Sequence, residues 1–230
     1  MAEASELLRS MAVLRGVPPE ELEVLPVERV ERAPGQPFFS QGDPGDSVYG
    51  VLTGRVRIAK SARDGREVCL EVLGPGDIIA AVAVIRRCPM PATAVALERT
   101  ACLRVPGDAF QRLRERHPVM AQRMLDVLSR RLLESGCSRL CLATEPVEVR
   151  MASALMRLAD KFGAVRGGEL AFSQRFTRKN LADLAGTTVE SAIRVMSRWT
   201  RDGLIQSSAG RITILQPEAM RRLAERPASD

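Results

Sequence analysis

The stretch 176–205, FTRKNLADLAGTTVESAIRVMSRWTRDGLI, constrains the fold of this chain more than any other. Its apolar residues fall at helical spacing in two successive runs, with a glycine between them. In the first run Thr177 is placed to cap a helix, and Leu181, Leu184 and Ala185 form the inward stripe. Gly186 suits the left-handed residue that ends a helix. Thr188 then caps a second helix, which turns Ala192, Val195, Met196 and Trp199 inward. Asp202-Gly203 closes it, and Leu204-Ile205 opens an apolar strand. Val189, Glu190, Ser191 and Arg194 fall on or near the opposite face of the second helix, where no core needs them.

Two short helices joined by a tight turn, the second with an outward polar face, are the pattern that sets a helix in the DNA major groove. Arg194 can donate two hydrogen bonds to the O6 and N7 of a guanine, and Glu190 can accept from a cytosine amino group. Four residues apart on one face, the two can also brace each other. Thr177, Arg178, Lys179, Thr188 and Ser191 stand at helix starts, where hydroxyls, amides and cations meet phosphates. The plainer reading is a surface helix hairpin with an ordinary Glu/Arg pair. Arg178 and the strand pair that follows, 204–205 and 211–214 around the turn 207–210, weigh against it and suggest the hairpin of a winged helix. Between Arg166 and Arg211 eight Lys/Arg stand against four Asp/Glu, a net +4 of the chain's +6, as phosphate binding requires.

This stretch resembles the DNA-binding helices of the CRP/FNR family of bacterial transcription regulators. The resemblance implies that Glu190 and Arg194 read a G·C pair in a TGA-containing half-site. Val189 stands where the cyclic-AMP branch has an arginine, which favours a palindromic TTGA-like over a TGTGA-like site. Ile193 replaces the serine that the FNR branch has before its arginine. Upstream, residues 38–58, 74–79 and 92–105 alternate short strands with glycine turns, the mark of a small all-β roll or barrel. Their glycine spacing is similar to that of the family's cyclic-nucleotide-binding roll. Between roll and helix pair runs a helical segment, about 118–142, with Met120, Met124, Val127, Leu128, Leu132 and Leu140 as its stripe and Arg123, Arg130, Arg131 and Arg139 on other faces. The expected architecture is α+β: a jelly-roll-like antiparallel β-roll over 1–117, a dimerisation helix over 118–143 and a winged helix-turn-helix over 144–230. The resemblance implies a homodimer bound to double-stranded DNA, recruiting RNA polymerase as an activator.

The signal is less legible. The cyclic-AMP branch holds the ribose with a Gly-Glu pair and the phosphate with an Arg-Ser pair; here the matching positions are Ala80-Ala81 and Met90-Pro91. A buried phosphate without a cation is an unpaired charge in low dielectric, so control by cyclic AMP is not expected. Ala80, Ala81, Val82, Val84, Met90 and Pro91 instead suggest an apolar pocket, with Ser135 and Gly136 where the family's long helix contacts the nucleotide. Three readings stay open. An apolar or planar ligand such as haem could fill the pocket, with Cys88-Pro89 as a thiolate ligand or as a structural cysteine. His117, beside Pro118, is expected away from the pocket. Thiols could sense redox state: Cys137 and Cys141 lie four apart on one helix face, either reactive or apolar filler, whereas Cys69 and Cys102 read as core. Or the pocket fills itself and needs no ligand.

No phosphate-binding glycine loop, zinc-protease motif or serine elbow is present, and a single histidine leaves few acid–base candidates, so an enzyme is not expected, nor is a metal site. A non-DNA cyclic-nucleotide regulatory module is the alternative of a different class; it would need the missing Glu and Arg and has no use for Glu190 and Arg194. With no apolar run of about 20 residues and no signal-peptide core, a cytoplasmic protein with reduced thiols is expected.

Overall fold

The computed structural model describes residues 8–9, 11–61, 67–208 and 210–225, with the backbone alone over 134–144, 166 and 173–175. The chain divides into two compact units, residues 1–134 and 135–230.

In the first unit a 3-10 turn, Ala12–Leu14, and helix α1, Pro19–Glu23, precede eight strands: β1 Glu28–Arg32, β2 Pro37–Phe39, β3 Ser47–Thr53, β4 Val56–Ser61, β5 Glu67–Leu73, β6 Ile78–Ile79, β7 Thr93–Ala96 and β8 Thr100–Pro106. They form two antiparallel four-stranded sheets, ordered β1-β8-β3-β6 and β2-β7-β4-β5, so the roll read from the sequence is present. Helix α2, Ala81–Arg86, crosses between β6 and β7; α3, Gly107–Arg116, and α4, Pro118–Thr144, follow β8. One apolar cluster joins both sheets through Phe38, Phe39, Tyr49, Val51, Val56, Leu73, Ile79, Met90 and Cys102. A second packs Met11, Leu14 and Leu22 with Val48, Leu103, Phe110, Leu113, Met120 and Met124. At Gly50 a Cβ would meet the end of the Met11 side chain, so the glycine leaves room for Met11 against β3.

The stripe expected on α4 divides in two. Met120 and Met124 are buried and Val127 packs beside them. Leu125, Leu128 and Leu132 are 58%, 39% and 67% exposed. Spaced three and four apart with Ala121 before them, they make a second apolar line along the exposed side of α4, with Leu128 at its border with the first unit.

In the second unit α5, Val147–Phe162, leads into β9, Gly163–Arg166, and β10, Glu169–Arg175. Helices α6, Arg178–Leu184, and α7, Val189–Arg201, follow, then β11, Ile205–Ser208, β12, Arg211–Ile214, and α8, Pro217–Ala224. The strands form one antiparallel sheet, β11-β12-β10-β9. Its β11–β12 hairpin pairs Ile205 with Ile214 and Ser208 with Arg211, which is the expected wing. Met151, Leu155 and Leu158 of α5, Leu181 of α6 and Ala192, Val195, Met196 and Trp199 of α7 are all buried. Gly186 between α6 and α7 has φ +58, the left-handed turn anticipated for it. Among the described residues no helix is long and apolar enough to cross a membrane.

Candidate nucleic-acid interface

Both helix starts are built by their own side chains. Thr177 accepts a hydrogen bond from the Asn180 backbone N–H at 3.1 Å while Asn180 Oδ1 accepts from the Thr177 N–H at 3.0 Å, a reciprocal capping box. Thr188 Oγ1 accepts from the Ser191 N–H at 3.2 Å and caps α7. Arg178 and Lys179, in the first turn of α6, are exposed. Thr177, Arg178 and Lys179 thus gather at one helix start, and Thr188, Glu190 and Ser191 at the other.

On α7 the buried stripe fixes what faces out: Glu190, Ile193, Arg194, Ser197 and Arg201 lie opposite Ala192, Val195, Met196 and Trp199. Glu190 and Arg194 do not brace each other as their spacing suggested. Arg194 Nη2 donates to Ser191 Oγ at 3.0 Å. Glu190, two residues past the cap, takes hydrogen bonds from its own backbone N–H and from the Thr188 hydroxyl; with the Arg194 charge, these hold its carboxyl below the usual carboxylate range. The helix start competes for the carboxylate and wins. The arrangement leaves an ionised acceptor and a guanidinium fork side by side on an exposed helix face, as a G·C edge requires. Val189 is half-buried beside them, and Ile193 is 45% exposed.

The first unit contains a cavity of about 160 Å³, whose walls include Phe39, Ile58, Leu73, Ile79, Met124, Val127 and Leu128. Ala80, Ala81, Val82, Met90 and Pro91 line it as expected. Val84 does not: its side chain turns the other way, into the cluster around Phe110. Ala80 and Arg87, at the two ends of α2, have φ of 70° and 48°, the only non-glycine residues with positive φ among those described. The polar edge of the cavity was missed in the sequence. Arg131, grouped there with the outward arginines of α4, lines the cavity together with Glu71. Its Nε lies 3.4 Å from Glu71 Oε1 and its Nη2 3.7 Å from Asp77 Oδ1. The signal that could have found it is the helical phase, since 131 falls in line with Met120, Met124 and Val127.

Cys88 is half-buried against the apolar cluster between the sheets and does not line the cavity. His117 Nε2 lies 3.0 Å from Glu21 Oε1, also away from it. Cys102 is fully buried, which pushes its thiol up to about 12; Cys69 is only half-buried. Ser135, Gly136, Cys137 and Cys141 lie outside the residues whose side chains are described. Among the described residues no group of three or more His, Cys, Asp or Glu is placed to hold a metal ion.

Comparison with known proteins agrees with this layout. Residues 29–117 match the family model "Cyclic nucleotide-binding domain", and residues 149–223 match "Crp-like helix-turn-helix domain". The "CRP-like cAMP-activated global transcriptional regulator" of Mycobacterium tuberculosis is 27% identical over 95% of this chain and 99% of its own length. The "Cyclic AMP receptor protein" of Thermus thermophilus is 29% identical over 94% of this chain and 98% of its own. The solved structure of FixK2 from Bradyrhizobium japonicum superposes with a TM-score of 0.75 over 86% of this chain and 98% of its own; at 21% identity it speaks for the fold alone. Both family models match in the order of the two units, and both relatives align almost end to end, so the chain belongs to the CRP/FNR family of transcription regulators.

Proposed function

We propose that the protein is a homodimeric, sequence-specific DNA-binding transcription activator that reads a palindromic site of TTGA or TGTGA type and is not controlled by cyclic AMP. The observation that carries the reading is the outward pair on α7, Glu190 and Arg194, set on a helix whose opposite face is fully buried. Val189 beside Glu190 places no cation over the outer base pairs, which favours the TTGA form.

The second apolar line on α4 supports the dimer. Leu125, Leu128 and Leu132 together expose more apolar surface than a lone helix needs, and their heptad-like spacing fits a second copy of the same helix. A two-fold pair would present two recognition helices to the two halves of a palindrome about one DNA turn apart. As an activator it would engage RNA polymerase, acting in the cytoplasm.

The cavity supports a signal other than cyclic AMP. A cyclic phosphate needs an available cation, and Arg131, the one cationic side chain of the described lining, already faces both Glu71 and Asp77. A cavity of about 160 Å³ admits roughly one six-membered ring. Neither Cys88 nor His117, the haem ligands weighed from the sequence, reaches the described lining. A compact, uncharged, largely apolar effector fits best, acting by preferring the DNA-competent pose.

Mobility shift of the purified protein on a palindromic TTGA duplex, with a scrambled duplex as control and native mass of the free protein alongside, tests the reading. Preferential binding by a dimer without cyclic AMP is expected. No preference for any such duplex at low salt would overturn it.

A further inference from the structure

Ile193 is the exposed residue of α7 that the helix itself does not explain. The rest of that face is polar, with Glu190, Arg194, Ser197 and Arg201, and the inward stripe is already complete. Among the described residues of the second unit only Val165 and Ile193 are large apolar side chains left exposed. Ile193 lies three residues after Glu190, beside Arg194, and four after the half-buried Val189, so Val189 and Ile193 form an apolar ridge along one flank of the Glu190/Arg194 pair.

An aliphatic side chain in the major groove has one favourable partner. The base edges there are hydrogen-bond donors and acceptors, except for the C5-methyl group of thymine. Against that methyl, Ile193 buries apolar surface. Against a guanine or cytosine edge it would strip water from polar atoms and give nothing back. The same side chain thus attracts one base and penalises others.

We propose that Ile193 is a specificity-determining residue that reads a thymine through its C5-methyl group, within about two base pairs of the guanine read by Arg194. The spacing follows from Glu190, which reads the same G·C pair as Arg194: three residues apart, Glu190 and Ile193 hold their Cβ atoms about 5–6 Å from each other, and base pairs rise about 3.4 Å. The proposal rests on the reading of α7 as the recognition helix.

The test uses the full-length protein. The preferred duplex is first selected from a random pool, and each thymine of the half-site is then replaced in turn by deoxyuridine, which lacks only the methyl. At one position near the guanine, deoxyuridine should weaken wild-type binding about three- to fivefold, the worth of one buried methyl. Ile193→Val should keep most of that difference. Ile193→Ser should bind thymine and deoxyuridine alike there while retaining the Arg194-dependent preference for guanine. Trp199 fluorescence confirms that each variant is folded. Indifference of the wild type to every thymine methyl, or an undiminished deoxyuridine penalty in Ile193→Ser, overturns the role of Ile193 and leaves the recognition helix standing if guanine preference persists. Failure to select any preferred duplex would overturn both.

Discussion

Glu148 of α5 accepts the indole N–H of Trp199 at 3.0 Å, and its other carboxylate oxygen accepts from Arg198 at 3.2 Å. Trp199 is 1% exposed, so its N–H finds this partner from inside the core of the second unit. One carboxylate thereby fixes both the depth and the rotation of α7, and with them the direction in which Glu190, Ile193 and Arg194 point.

Glu148→Leu removes the acceptor from a buried donor. An orphaned buried N–H costs about 1–3 kcal/mol. The second unit should unfold at correspondingly lower urea. The chain has a single tryptophan, so its fluorescence reports this unit directly. An unchanged midpoint would show that α7 is held in some other way.

Ala80 carries a left-handed backbone, φ 70°, at the start of α2. That conformation costs an L-residue about 1–2 kcal/mol, part of which glycine gives back through its freer unfolded chain. Ala80→Gly should therefore stabilise the first unit by about 1 kcal/mol, raising Tm by about 2–4 °C. A lower Tm would mean that the Ala80 methyl contributes more to the cavity wall than its backbone costs.

At the edge of the cavity the Arg131 guanidinium is already engaged by Glu71 and Asp77. Millimolar cyclic AMP should change neither Tm nor affinity for the target duplex, whereas indole, a compact uncharged probe, should raise Tm. At a hundredfold excess over its dissociation constant a ligand contributes about 2.7 kcal/mol, which calorimetry resolves. A rise with cyclic AMP would contradict the cavity assignment.

Glu190 is held below the ordinary carboxylate range by its own N–H, then by Thr188 and Arg194. A depressed folded pKa means that the ionised acceptor is fully present above the unfolded value and is lost only as pH falls through the lower folded one. The advantage of wild type over Glu190→Gln on the target duplex should thus stay flat from pH 8 down to about 5. A loss beginning near pH 6 would place Glu190 in a different environment.

What the sequence made legible was local. Thr177, Gly186 and Thr188 announce α6 and α7 because capping and left-handed termination are decided within a few residues. The wing is likewise a short hairpin. Helix α2 was not visible: AVAVIR is six residues, rich in β-branched side chains, with no side-chain cap and no glycine at either left-handed end. Tertiary packing of Ala83 and Val84 sets it instead. Arg131 and its acidic partners stand more than fifty residues apart, as do Glu148 and Trp199, so helical periodicity alone could not join them. The Glu190–Arg194 brace failed for a local reason, since the helix start offered Glu190 nearer donors.

The most direct measurement compares Arg194→Ala and Arg178→Ala on the selected duplex and on random duplex over a range of salt. Arg194→Ala should lose about 1–3 kcal/mol on the target, with relaxed preference at the guanine, and little on random DNA. Arg178→Ala should weaken both duplexes alike and flatten the salt dependence. Equal losses on target and random DNA for both variants would contradict the assignment of α7 as the helix that reads sequence.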